Sequence, residues 1–168
     1  MFYKIFSIVG RSAAAAVLAL GLATPAFADD GVKAVSDAFY GLLNEMLVGT
    51  PVADRIAPLW LDAEGVTAMH PIGGRHTGQE DLLGAFDGFA SIAEDGEARI
   101  DDQKIAVFGD TAIETGVERG RVVMAGEEIV LEYRVTNVYV RTEAGWRMVH
   151  HHTDLSMPAI DRLARLEG

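Results

Sequence analysis

The residues most suited to chemistry in this chain are its five histidines, and three of them stand in a row in MVHHHTD, Met148 to Asp154. Imidazole changes protonation near neutral pH, so each histidine is a candidate acid, base or metal ligand. On a strand, parity puts His150 and His152 on one face with Trp146 and Met148, and His151 on the other with Val149 and Thr153. Same-face residues are about 7 Å apart at the backbone, which lets His150 and His152 hold one metal ion. Such a pair supplies two ligands where a catalytic zinc site wants three protein ligands, and His70, Asp154 or Glu118 would have to complete it. The remaining histidines, His70 and His76, flank Pro71 and the glycine-rich run IGGRHTG. Arg75 and His76 there could attract a carboxylate or phosphate, while Gly73 and Gly74 more simply supply the positive φ angles of a turn.

The elements that must position these groups follow from pattern. Residues 1–28 read as an export signal: Lys4 and Arg11, then the apolar run SAAAAVLALGLA, then PAFA with small residues Ala26 and Ala28 at the cleavage site. The apolar run is shorter than the roughly 20 residues of a spanning helix. Residues 29–168 form a single domain with no cysteine, so the core must hold it without disulfides. Loss of Lys4 and Arg11 leaves twelve basic residues against twenty-five acidic ones, a net charge of −13. That surface repels nucleic acid and anionic membrane, and neither is an expected partner.

Val35, Phe39, Leu42, Leu43 and Met46 recur at helical spacing, and Gly49 with Pro51 ends the pattern. A second helical turn is expected over residues 52–60, then a brief strand VTAMHP, a loop IGGRHTG, and a third helix opened by Thr77 or Gly78 with Gly96 near its end. Four strands follow, over residues 99–108, 111–124, 128–141 and 146–155, divided by turns at Gly109-Asp110, Ala125-Gly126 and TEAG. Helices first and antiparallel strands second is the α+β pattern. The tail PAIDRLARLEG reads equally as a short helix or as frayed chain.

LWLDAEGVTAMHPIGGRHTGQEDLLGAF and VTNVYVRTEAGWRMVHHHTDLS resemble the strand, loop and capped helix, and the last hairpin, of the SnoaL-like branch of the nuclear transport factor 2-like superfamily. The resemblance covers residues 32–156. It implies a cone-shaped, curved antiparallel sheet covered by three N-terminal helices, a cystatin-like roll with a cavity on the concave side and a homodimer through the convex side. It implies no single chemistry, because isomerases, dehydratases, polyketide cyclases and association domains share this fold. By alignment with the ketosteroid isomerase relatives, His70 stands at the general-base position and Phe39 at the position of the oxyanion-holding Tyr. Asn137 stands at the position of the Asp that those enzymes keep protonated, so that its carboxyl donates to the oxyanion. All three residues depart from the set that steroid isomerisation by that mechanism uses.

The same alignment turns Glu118 inward, as well as His151 with Val149 and Thr153, and Tyr133 shares the parity of Asn137. His70 and His151 are then the candidate acid and base, with Asn137 and Tyr133 on the substrate oxygen. Phe39, Trp60, Arg75, His76, Phe86, Glu118, Val149 and Thr153 are the candidate ligand contacts. Simpler readings stand beside these: His70 as a turn hydrogen-bonding group, and Glu118 as the ion-pair partner of Arg134, worth little if exposed. The functional expectation is an exported protein, periplasmic or secreted, that binds a small, mainly apolar organic ligand and carries out proton transfer of isomerase or dehydratase type. The alternatives are a non-catalytic binding or association module, and metal binding through His150 and His152. No cofactor is implied.

Overall fold

The computed structural model describes residues 26–27, 30–156, 160–161 and 164–165. The export signal lies almost wholly outside the described residues, as does most of the tail. The described chain runs β1 (Ala26–Phe27), α1 (Asp30–Leu47), α2 (Ala53–Ile56) with a 3₁₀ turn (Ala57–Leu59), β2 (Thr67–His70), β3 (Gly73–Thr77), α3 (Gln79–Ala90), β4 (Ala93–Phe108), β5 (Thr111–Met124), β6 (Glu127–Thr142) and β7 (Gly145–Thr153). This is the expected α+β order. Among the described residues no helix is long and apolar enough to cross a membrane.

The strands make one sheet in the order β1-β4-β5-β6-β7-β2-β3. Its neighbours are antiparallel except β2 and β7, which run parallel with Ala68 opposite His151. The expected curved antiparallel sheet thus contains one parallel pair. Parallel neighbours need a long connection between them, and here the whole body of the fold separates β2 from β7.

Helix α1 buries Val32, Ser36, Phe39, Tyr40, Leu43, Met46 and Leu47, a stripe at the helical period. The stripe lies over the concave sheet, whose strand β6 alternates with Ile129, Leu131, Tyr133, Val135, Asn137 and Tyr139 buried. Phe39 is the hub, meeting Tyr40, Phe86 and Trp60 edge-on at 5.5, 6.0 and 6.5 Å between ring centres.

Two boundaries differ from the sequence reading. IGGRHTG is not all loop: Gly73–Thr77 pairs back on β2, with Ala68 opposite His76 and His70 opposite Gly73. Positive φ at Gly73 and Gly74 carries the chain through this reversal, and Pro71 sits in the turn, where no ladder donor is needed. Strand β4 starts at Ala93, so Gly96 is a strand residue opposite Val122. The local composition there is acidic and small, and pairing with β5 overrides it.

Curvature comes from bulges. β4 shifts register between Asp101 and Lys104, with Asp102 at positive φ, and a second shift lies between Val138 and Tyr139 in the β6–β7 pair. Each extra residue bends its strand and increases twist. Gly120 lets β4 and β5 meet closely: a Cβ there would stand 1.8 Å from the Glu97 carbonyl oxygen.

Candidate active site

Three walls enclose a cavity of about 70 Å³. Helix α1 contributes Leu43, Met46 and Leu47, and the β2–β3 turn and α3 contribute His70, Pro71, Ile72, His76, Ala85, Phe86 and Phe89. The concave sheet contributes Ala98, Glu118, Leu131, Tyr133 and His151. The lining is mostly apolar, with a few polar groups reaching in from separate elements, as small-molecule sites have.

The histidine run enters this cavity through the β7 bulge. Met148 lies opposite Tyr139 and His150 opposite Val138, so Val149 has no partner. Trp146 and Met148 are buried before the bulge, and His151 and Thr153 after it. The parity grouping is thus corrected: Trp146 and Met148 share the inner side with His151, not the outer side with His150 and His152, because one inserted residue reverses the alternation. His150 and His152 do lie together outside, their ring centres 6.0 Å apart, and His150 Nδ1 is 2.7 Å from Thr67 Oγ1. Among the described residues no three His, Cys, Asp or Glu side chains converge on a point that could hold a metal ion.

His151 is held from behind by a buried polar chain. Asn137 Nδ2 donates to Glu114 Oε2 at 2.7 Å. That fixes the amide with Oδ1 toward His151 Nδ1, also at 2.7 Å, so Nδ1 carries the proton and donates. Nε2 remains as the ring's acceptor. Glu114, fully buried, also accepts from Tyr139 Oη at 2.5 Å on Oε2, and from Ser36 Oγ at 2.7 Å and Gln103 Nε2 at 2.5 Å on Oε1. Four donors suit an acceptor-only carboxylate. Burial, aided by neighbouring His70, His150 and His152, keeps the His151 pKa well below the usual imidazole value.

His70 stands beside His151, ring centres 5.7 Å apart, and beside Phe86 and His76 at 4.9 and 5.4 Å. Burial, and next the proximity of His76, lowers its pKa to about 4, so the ring is neutral in the fold at neutral pH. Its Nε2 is buried without a hydrogen-bond partner. Across the cavity Glu118 lies opposite Tyr133 in the β5–β6 ladder. Burial pushes its carboxyl up to about 7, although the nearby Tyr40 hydroxyl favours its charged form. No well-formed hydrogen bond links the two groups, and Glu118 Oε2 and Tyr40 Oη both lack partners. Burial above all, and then the Glu118 charge, raises the Tyr133 pKa as well.

Of the residues singled out from sequence, His70, His76, Phe86, Glu118, Tyr133 and His151 meet at the cavity. Asn137 stands behind it, bonded to His151 and Glu114. Phe39 touches the His151 ring, centres 5.2 Å apart, and Trp60 packs on Phe39. Thr153 is buried but faces the Met69 carbonyl, Val149 is the half-buried bulge residue, and Arg75 is exposed. The alternative pairing of Glu118 with Arg134 is replaced by an Arg134–Asp154 pair at 2.7 Å. Glu114, Ser36, Gln103, Tyr139 and Tyr40 were not singled out. Glu114 had a signal, since it shares strand parity with Glu118 four residues on.

The profile of the SnoaL-like domain matches residues 32–160. No curated protein matches the chain. Solved structures do. A candidate dehydratase of the NTF2-like family from Streptomyces avermitilis superposes with a TM-score of 0.65 at 23% identity, covering 76% of this chain and 95% of its own. A nuclear transport factor 2-like superfamily protein from Salmonella enterica serovar Typhimurium gives 0.64 at 15%, covering 76% and 92%. A candidate scytalone dehydratase from Novosphingobium aromaticivorans gives 0.63 at 12%, covering 76% and 83%. At these identities the likeness establishes the fold and leaves the chemistry to the side chains.

Proposed function

Because this chain belongs to the SnoaL-like domain family, we propose that it binds a small, mainly apolar organic molecule in its cavity and moves a proton next to a carbonyl group of that molecule, as an isomerase or dehydratase does. The observation that carries this reading is the chain Glu114–Asn137–His151, which fixes one imidazole tautomer at the wall of an apolar cavity. A base needs a free lone pair in a known direction, and His151 Nε2 supplies it. His70, the neighbouring neutral imidazole, is the second proton carrier. Glu118 and Tyr133 stand across the cavity, where a protonated carboxyl or a phenol donates to a developing oxyanion. Asn137 changes role from the sequence expectation: both ends of its amide are engaged, so it positions His151 and does not meet substrate oxygen.

The test is deuterium uptake at the carbon next to the carbonyl of cyclohexanone in heavy water, followed by NMR. Wild-type protein is expected to accelerate exchange over buffer, and His151→Ala to lose about 10²-fold or more of that acceleration. Exchange at the buffer rate in the wild type would reduce the protein to a binding module.

Export and pairing belong to the same proposal. Cleavage after Ala28 would remove β1, which pairs with only Val107 and Ala106 among the described residues, and would leave the rest of the sheet whole. The uncharged row Ile113, Val138 and His150 on the convex face supports a homodimer through that side. An unprocessed N-terminus in the exported fraction would remove the first point, and a monomer in sedimentation the second.

A further inference from the structure

Two buried polar atoms of the cavity lining lack partners, His70 Nε2 at one end and Glu118 Oε2 at the other. Native proteins leave few such atoms, and each costs about 1–3 kcal/mol while unpaired. They do not sit together. His70 is on β2 and Glu118 on β5, which in the sheet order are separated by β7 and β6. Three strand spacings put their backbones about 14 Å apart along the sheet, and both side chains reach inward from those positions. Between them the walls are Leu43, Met46, Phe86, Phe89 and Leu131. The cavity thus has two polar poles and an apolar belt.

Size and charge narrow the occupant. A space of about 70 Å³ is below the roughly 150 Å³ of an engineered cavity that holds benzene, so the occupant is no larger than a single ring. No lysine or arginine lines it among the described residues, so a carboxylate or phosphate would be buried without a counter-charge, at high cost. A hydroxyl both donates and accepts, so it satisfies an imidazole nitrogen or a carboxyl oxygen whichever one holds the proton.

We propose that the ligand class of this cavity is an uncharged single-ring compound carrying oxygen at two separated positions, one oxygen meeting His70 Nε2 and the other meeting Glu118. This rests on the reading of the cavity as a ligand site, and it adds the two-pole requirement to it. A fused polycycle is too large for this volume, a singly oxygenated ring leaves one pole unsatisfied, and an organic acid brings a charge with no partner.

The probes are resorcinol and hydroquinone under argon, against phenol, toluene and benzoate, each titrated into the full chain by calorimetry or NMR at about pH 7.5. At least one of the two diols is expected to bind about tenfold or more tightly than phenol and toluene, with no binding of benzoate. Glu118→Leu and His70→Phe should each collapse the preference of diol over phenol to near unity without weakening toluene. Diols no tighter than toluene, benzoate as the tightest probe, or binding of none of the five overturns the proposal. The wild-type ranking needs no variant to fold and no turnover. A correct ranking without deuterium exchange sinks only the catalytic reading, while exchange with a flat ranking sinks only the ligand class.

Discussion

Replacing Glu118 by glutamine keeps the shape of the side chain and removes its titration, which makes the charge state of the cavity floor measurable as stability. Burial raises the folded-state pKa from 4.5 to about 7. A carboxyl with a raised pKa contributes stability in its protonated form. That contribution is complete below pH 4.5, shrinks as pH rises, and is lost as pH passes through about 7. At about 1.4 kcal/mol per pH unit of difference, ionised Glu118 costs the fold about 3 kcal/mol at pH 8 and above. The assay is urea unfolding of wild type and Glu118→Gln at intervals from about pH 5 to pH 9. His70 and His151, whose lowered pKa values weaken the fold as the pH drops into the acid range, are present in both proteins, so the difference between the curves isolates Glu118. The variant is expected to gain on the wild type by about 3 kcal/mol between the two ends of this range. Parallel curves would refute the reasoning, because they would mean that Glu118 reaches solvent or a partner when it ionises.

Two further outcomes follow from the packing. Glu114→Leu removes the acceptor shared by Ser36, Asn137 and Tyr139, three buried donors, and should cost about 3 kcal/mol or more; in any folded fraction, the nitrogen shifts of His151 should show a loss of the pure Nδ1–H tautomer. Gly120→Ala drives a Cβ into the Glu97 carbonyl, with an expected loss of at least about 3 kcal/mol in thermal or urea unfolding; an unchanged midpoint would contradict the close approach of β4 and β5.

The long elements were legible because each carries its own period. Val35, Phe39, Leu43 and Met46 mark α1, and alternation from Leu131 to Val135 marks β6, so fold class and most boundaries follow from local pattern. β3 was not legible, since GGRHT lacks β-branched or aromatic residues in alternation and is a strand only through its pairing with β2. The inward turn of His151 could be reached through the family resemblance, but the company it keeps could not. Trp146 and Met148 join it because of the bulge at Val149, and a bulge is set by how β6 and β7 align over their whole length. Of the relay behind His151, Glu114 could have been found by the parity already applied to Glu118. Ser36 and Gln103 could not, because their partner is reached only through tertiary packing: 78 residues separate Ser36 from Glu114.

The bulge at Val149 also bears on how this site tolerates insertion and deletion. A one-residue change in the β6–β7 turn that is carried along the hairpin slides β7 against β6 and exchanges its two faces. In most strands that would replace an imidazole by an unrelated group. Here the positions on either side of His151 are His150 and His152, so a slip in either direction delivers another imidazole to Asn137. The triple histidine thus keeps an imidazole opposite Asn137 in each of the three registers, while the same slip would turn the buried Trp146 and Met148 outward.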